Sequence, residues 1–214
     1  MSQSLKLTLS ALCGLLGPIV LIASFQINPA PPASSTATQL MEFAAQHYAT
    51  IILGGWMQAV GSILLVLFAL SIVYFARATG RLSGLITVMA AACILMVSLL
   101  EITFYLTAAQ ALVDRDEALG TSANAVVKSV QHVFLLSPAL LLPVGYILVS
   151  TRLLPPVLGY LSIFIGAVLQ ILGPIGIFAP LQGLIDVILI VQALWFAAAG
   201  ILLFAGRNRI AEMR

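Results

Sequence analysis

Four ionisable side chains of this 214-residue sequence fall inside long apolar runs: Glu101, Lys128, His132 and Asp186. A charge at the centre of a membrane-crossing helix costs roughly 2.5–3.5 kcal/mol, so each of them needs a partner or a task. Either carboxylate is of the type that carries a proton through a transport cycle. Together with His47 and His132 they are also chemically adequate zinc ligands, and three such ligands plus a water make a hydrolytic centre. Helical spacing adds neighbours. Tyr105 and Ser98 share a face with Glu101, Lys128 with His132, and Gln182 with Asp186, all at intervals of three or four residues.

The spacing does not favour catalysis. There is no His-Glu-x-x-His pattern, the four zinc candidates come from four separate elements, and the chain holds only two histidines. No Gly-x-Ser-x-Gly elbow is present either. The expectation is a non-enzymatic protein without a cofactor, in which Glu101, His132, Asp186, Lys128, Tyr105 and Gln182 bind a small apolar ligand or a membrane protein partner. A proton-coupled small-molecule transporter is the rival reading, and a membrane-embedded metal-dependent hydrolase the third. A purely architectural role, with Lys128 and His132 pairing the two carboxylates to fix helix register, accounts for the same residues.

The elements that position these groups follow from composition. The chain is 62% hydrophobic and 7% charged, against roughly 45–50% and about 25% in soluble domains. With a mean hydropathy of +1.15, a water-soluble globule is excluded and the bilayer is the first partner. A net charge of +2 without a clustered basic face leaves no footprint for nucleic acid. Cys13 and Cys93 lie in apolar runs and read as buried thiols, and Leu12 occupies the place before Cys13 where a lipoprotein would carry a small residue.

A span takes about 20 apolar residues, and six stretches qualify: 7–25, 50–75, 82–106, 126–149, 157–179 and 181–205. The expected fold is all-α, one transmembrane domain over 1–214 built as a six-transmembrane-helix bundle. Pro180 separates the last two spans as a tight hairpin. Lys6, Arg77, Arg81, Arg152, Arg207, Arg209 and Arg214 fall on one side and only Arg115 and Lys128 on the other, which predicts cytoplasmic termini. A cleaved signal peptide is the alternative for the first run, but its 19 residues exceed an h-region of about 7–15.

The first outer connection divides in two. Residues 26–34 are proline-rich and extended, whereas 35–48 read as a short interfacial helix capped by Ser35 or Thr36, anchored by Tyr48 and Trp56. A lid over an outward pocket is the sharper reading of the same segment. Glu101, His132 and Asp186 count to one layer, about 8 Å below the outer boundary. The opposite half of the bundle is almost wholly aliphatic, aromatic and small, which predicts a pocket open to the outside. Leu16-Gly17-Pro18-Ile19 recurs as Leu172-Gly173-Pro174-Ile175, suggesting a shared kink. Gly80 and Gly84 form a small-xxx-small pattern that predicts close helix packing.

Two segments resemble a loose group of uncharacterised bacterial multi-span membrane proteins that share a domain of unknown function. They are the outer loop from Pro29-Ala30-Pro31-Pro32 to Gln39-Leu40-Met41-Glu42-Phe43 and on to His47, and the start of span five, Leu153-Leu154-Pro155-Pro156-Val157-Leu158-Gly159. In that group the second segment carries a basic residue and Trp where Pro156 and Val157 stand here. The resemblance implies a bacterial inner-membrane protein with cytoplasmic termini, and it implies no activity or catalytic residue.

Overall fold

The computed structural model describes residues 2–29, 35–136, 140–178 and 182–212; within its helices the side chains of 128, 130–136, 176–178, 182, 185, 186, 209, 211 and 212 lie outside the description. All regular structure among the described residues is helical: α1 (Gln3–Ile27), α2 (Ala37–Phe75), α3 (Leu82–Val113), α4 (Glu117–Leu136), α5 (Leu141–Thr151), α6 (Pro156–Phe178), α7 (Gln182–Ala205) and α8 (Arg207–Glu212). Five are apolar and long enough to cross a membrane, namely α1, α2, α3, Pro156–Ile175 of α6 and Val187–Ala205 of α7. The architecture is that of a multi-pass membrane protein.

Caps set the first helix starts. The Ser2 hydroxyl accepts from Leu5 N at 3.3 Å. At α2 the Thr36 hydroxyl accepts from Gln39 N while Thr36 N donates to the Gln39 side chain, a reciprocal capping box. Thr36 is therefore the cap, but what it starts is no separate interfacial helix. With no proline after Pro32 to interrupt it, the segment continues without a break into the second span, giving one helix of 39 residues, about 58 Å long. α3 likewise runs past 106 to Val113. The two overshooting ends pack together through Leu40 and Ala44 against Leu112.

The expected span over 126–149 is divided between α4 and α5. Pro138, in the connection 137–139 outside the described residues, lacks a donor and disfavours helix at the residue before it. The turn expected around Pro180 also lies outside them, although α6 and α7 end and begin on either side of it. Pro18 and Pro174 both sit inside helices.

The helices close into a ring. Each of α1, α2 and α3 packs on the next, α4 and α5 connect α3 to α6, and α7 packs on both α6 and α1. The core lies toward one end, where Phe68, Ile72, Leu141, Ile147, Leu148, Phe196 and Leu203 are fully buried. Trp195 is buried there too, its indole N–H donating to Leu158 O at 2.9 Å. At α5–α6 two glycines let backbones touch: a Cβ on Gly145 would stand 2.6 Å from the Gly159 carbonyl oxygen. Of the Gly80–Gly84 pattern only Gly84 is packed, with Val73 of α2 3.2 Å from where its Cβ would stand. Gly80 faces open space, and Gly84 lies against the Ala78 carbonyl of the preceding turn.

The same end carries most of the described basic residues, Arg115 excepted. Lys6 Nζ lies 5.8 Å from the centroid of the Tyr74 ring, so the start of α1 meets the end of α2, and Arg81 shares a groove with Ser150 near the end of α5. Three arginines close helices in the left-handed region, Arg77 (φ 51°), Arg115 (φ 62°) and Arg152 (φ 54°). At Arg77 and Arg115 the flanking bonds, Ala78 N to Val73 O and Asp116 N to Ala111 O, satisfy the last carbonyls in the pattern usually built on glycine.

Candidate functional site

The antiparallel register of α2 and α3 builds a polar seam. Gln58, buried on α2, donates from Nε2 to Glu101 Oε2 at 3.0 Å. One turn along, the hydroxyls of Ser62 and Ser98 bond each other at 2.8 Å, both buried. In the other direction the Tyr105 hydroxyl reaches α1 and donates to Asn28 Oδ1 at 3.0 Å, with Pro29 O at 3.2 Å. Asn28 stands there because Gly54 leaves room: a Cβ at 54 would meet Asn28 Cβ at 2.7 Å.

Farther along, the same two helices open a groove of about 450 Å³ against the start of α4. Ile52, Leu106 and Leu119 make its apolar walls, and Tyr48, Gln110, Asp114 and Asp116 its polar lining. The Tyr48 hydroxyl bonds Gln110 Oε1, and Gln110 Nε2 donates to Asp114 Oδ2 at 2.8 Å. Asp116 caps α4, accepting from Leu119 N at 3.0 Å. The groove is a consequence of overshoot. It exists only because α2 and α3 continue beyond their apolar spans and α4 turns back against them.

The predicted site residues divide by what is described. Glu101 and Tyr105 take part in the seam, and neither lines the groove. The side chains of Lys128, His132, Gln182 and Asp186 lie outside the described residues. Gly120 packs against Leu112, and counting along the α3–α4 hairpin from that contact brings the backbone at 132 within about one residue of the level of Glu101. Segment 35–48 forms a wall of the groove through Tyr48 and is no cover over it.

His47 does not join Glu101. With Gln58 opposite Glu101 and Tyr48 opposite Gln110, it lies about 15 Å farther along the helix pair, against the Phe43 ring at 4.8 Å between centroids. Among the described residues no three His, Cys, Asp or Glu side chains come together as a metal site.

Sequence reasoning did not pair Gln58 with Glu101 and missed Ser62, Asn28 and Gln110. The signal that pairs them is arithmetic: in an antiparallel pair the residue numbers of partners sum to a constant, and 58 with 101, 62 with 98 and 48 with 110 nearly do. Comparison with known proteins adds nothing to this geometry, since no family model, curated protein or solved structure matches the chain.

Proposed function

We propose that the chain is a non-enzymatic, six-crossing membrane protein that binds a small amphipathic ligand in the groove formed by α2, α3 and α4. In this reading α4 and α5 together make the fourth crossing, and both termini are cytoplasmic. The gathering of Lys6, Arg77, Arg81 and Arg152 at one end, against Glu42, Asp114, Asp116 and Glu117 at the other, supports that orientation. Exposed aromatics support the depth. Tyr74, Tyr146 and Tyr160 stand near the basic end and Trp56 lies about 28 Å along α2 from Phe75, close to the roughly 30 Å of a hydrocarbon core. The resemblance of 29–47 to bacterial multi-span proteins favours a bacterial inner membrane.

The observation that carries the binding reading is the groove itself. Its volume is that of ligand clefts, its walls are largely apolar, and three of its polar groups, Tyr48, Gln110 and Asp114, are joined by hydrogen bonds. Two carboxylates there, with no cation among the described lining residues, favour a ligand with a positive head. The seam around Glu101 then holds the walls in register.

A hydrophobic cation, tetraphenylphosphonium, titrated into the purified protein tests this by calorimetry. Saturable binding that Leu106→Trp or Asp114→Asn weakens supports it. No binding, or binding that neither change affects, rejects it. Glu101 also keeps the transporter rival in view, since it is a carboxylate within a crossing helix. For that rival, Glu101→Gln abolishes pH-driven flux in reconstituted vesicles, whereas a binding protein has no flux to abolish.

A further inference from the structure

At the basic end of the bundle a second groove, of about 520 Å³, opens between the start of α3 and α5. Arg81, Ser83 and Ile86 line one side, and Leu142, Tyr146 and Ser150 the other. The residues from α5 recur every four positions, so they form one stripe along a single helix face. Polarity is graded along that stripe. Arg81, Ser83 and Ser150 lie at the mouth, Tyr146 and Ile86 a turn or so deeper, and Leu142 about 12 Å along α5 from Ser150.

Charge is one-sided at this mouth. The connections 76–81 and 152–155 contain Arg77, Arg81 and Arg152 and no acidic residue. Within the groove the Arg81 guanidinium and the Ser83 and Tyr146 hydroxyls have no intramolecular partner among the described residues. Tyr146 is 61% exposed and Leu82, beside Arg81, 74%, so the groove faces outward from the bundle, where lipid lies. An anion is needed at the mouth and an acyl chain on the floor.

We infer that this groove is a binding site for an anionic phospholipid of the leaflet at the basic end, its phosphate held by Arg81, Ser83 and Tyr146 and one acyl chain lying on Ile86 and Leu142. Free phosphate supplies the charge but leaves the apolar floor uncovered, and a zwitterionic lipid covers the floor but offsets Arg81 with its own cation. The proposal uses residues on the opposite end from the α2–α3–α4 groove, so it stands or falls independently of ligand binding there.

The test is lipid retention by the purified full chain, measured by native mass spectrometry and by thermal unfolding, with phosphatidylglycerol, phosphatidylcholine or inorganic phosphate added. Phosphatidylglycerol is expected to be retained and to raise Tm. Arg81→Gln should weaken retention about fivefold, the loss expected of one basic contact near an anionic headgroup. Tyr146→Phe, which keeps shape and removes only the hydroxyl, should weaken it less, and Arg207→Gln, a basic residue outside the groove, should leave it unchanged. Equal retention of phosphatidylcholine, an equal Tm rise with phosphate alone, or an equal loss from Arg207→Gln would overturn the site. So would retention indifferent to both Arg81→Gln and Tyr146→Phe.

Discussion

Gln58 on α2 donates to Glu101 on α3 at 3.0 Å, an amide answering a carboxylate inside the helix interface. An unanswered carboxylate in such a place is expensive, and the Gln58 amide is one of the groups that answer it. Together with the Ser62–Ser98 and Tyr48–Gln110 bonds, the pair fixes the sliding register of two long helices whose remaining contacts are mostly apolar.

Removing the amide should therefore cost little energy. Gln58→Ala is expected to lower stability by about 0.6 kcal/mol and at most about 1.7 kcal/mol, the range for hydrogen bonds between membrane helices. Glu101→Gln, which still accepts from Gln58, should be closer to wild type. Unfolding titrations in mixed detergent read both values, and a double-mutant cycle with Glu101→Ala isolates the coupling. A loss of several kcal/mol from Gln58→Ala would mean that the amide does more than set register.

Gly84 and Gly80 make a matched pair of opposite sign. Ala at 84 forces a methyl into the Ala78 carbonyl, with Val73 a further 3.2 Å contact, and overpacking of this kind costs about 1–3 kcal/mol. Ala at 80, where nothing lies within 4 Å and φ is not positive, should be neutral or stabilising by up to about 1 kcal/mol. Thermal melts of the two variants give the answer.

Arg115 holds a left-handed backbone at the close of α3, a conformation costing roughly 1–2 kcal/mol for residues with a Cβ. Arg115→Gly should raise Tm. The same change at Arg77 or Arg152 should relieve equal strain yet remove charge from the end that sets orientation. Cysteine-accessibility mapping of a combined Arg77→Gly/Arg152→Gly chain is expected to show a mixed topology, with Arg115→Gly retaining a single one.

Reporter fusions check that topology in the unaltered chain. A periplasmic-active reporter at Asp116 and cytoplasmic-active reporters at Arg81 and Arg152 are expected to report. Activity with the opposite sidedness at either Arg81 or Asp116 would reject the six-crossing reading.

Much of the fold could be read from composition because lipid removes alternatives: an apolar run of sufficient length has to be a helix. That logic located α1, α6 and α7 well and the start of α3, and helix capping narrowed the start of α2 to Ser35 or Thr36. It failed where two environments share one helix. Residues 37–49 are amphipathic enough to lie on a surface, and nothing in their own chemistry says that they instead extend α2, because that choice is made by Leu112 on another helix. The site was less legible. Glu101 and Tyr105 stood out by type, but their partners Gln58 and Asn28 are uncharged, and only the register of packed helices selects them.

The length of α2 also changes how the protein sits in its bilayer. A helix cut to the thickness of the hydrocarbon is held at the correct height by its own two ends, whereas a rod of 39 residues could slide along the membrane normal and still span it. Height must then be set by side chains that act as a waterline. Trp56, 66% exposed on the flank of α2, is placed to do this at the interface. Moving that indole one turn along the helix should float the α2–α3–α4 groove about 5 Å higher or lower against the surface, with the packing between the helices left as it is.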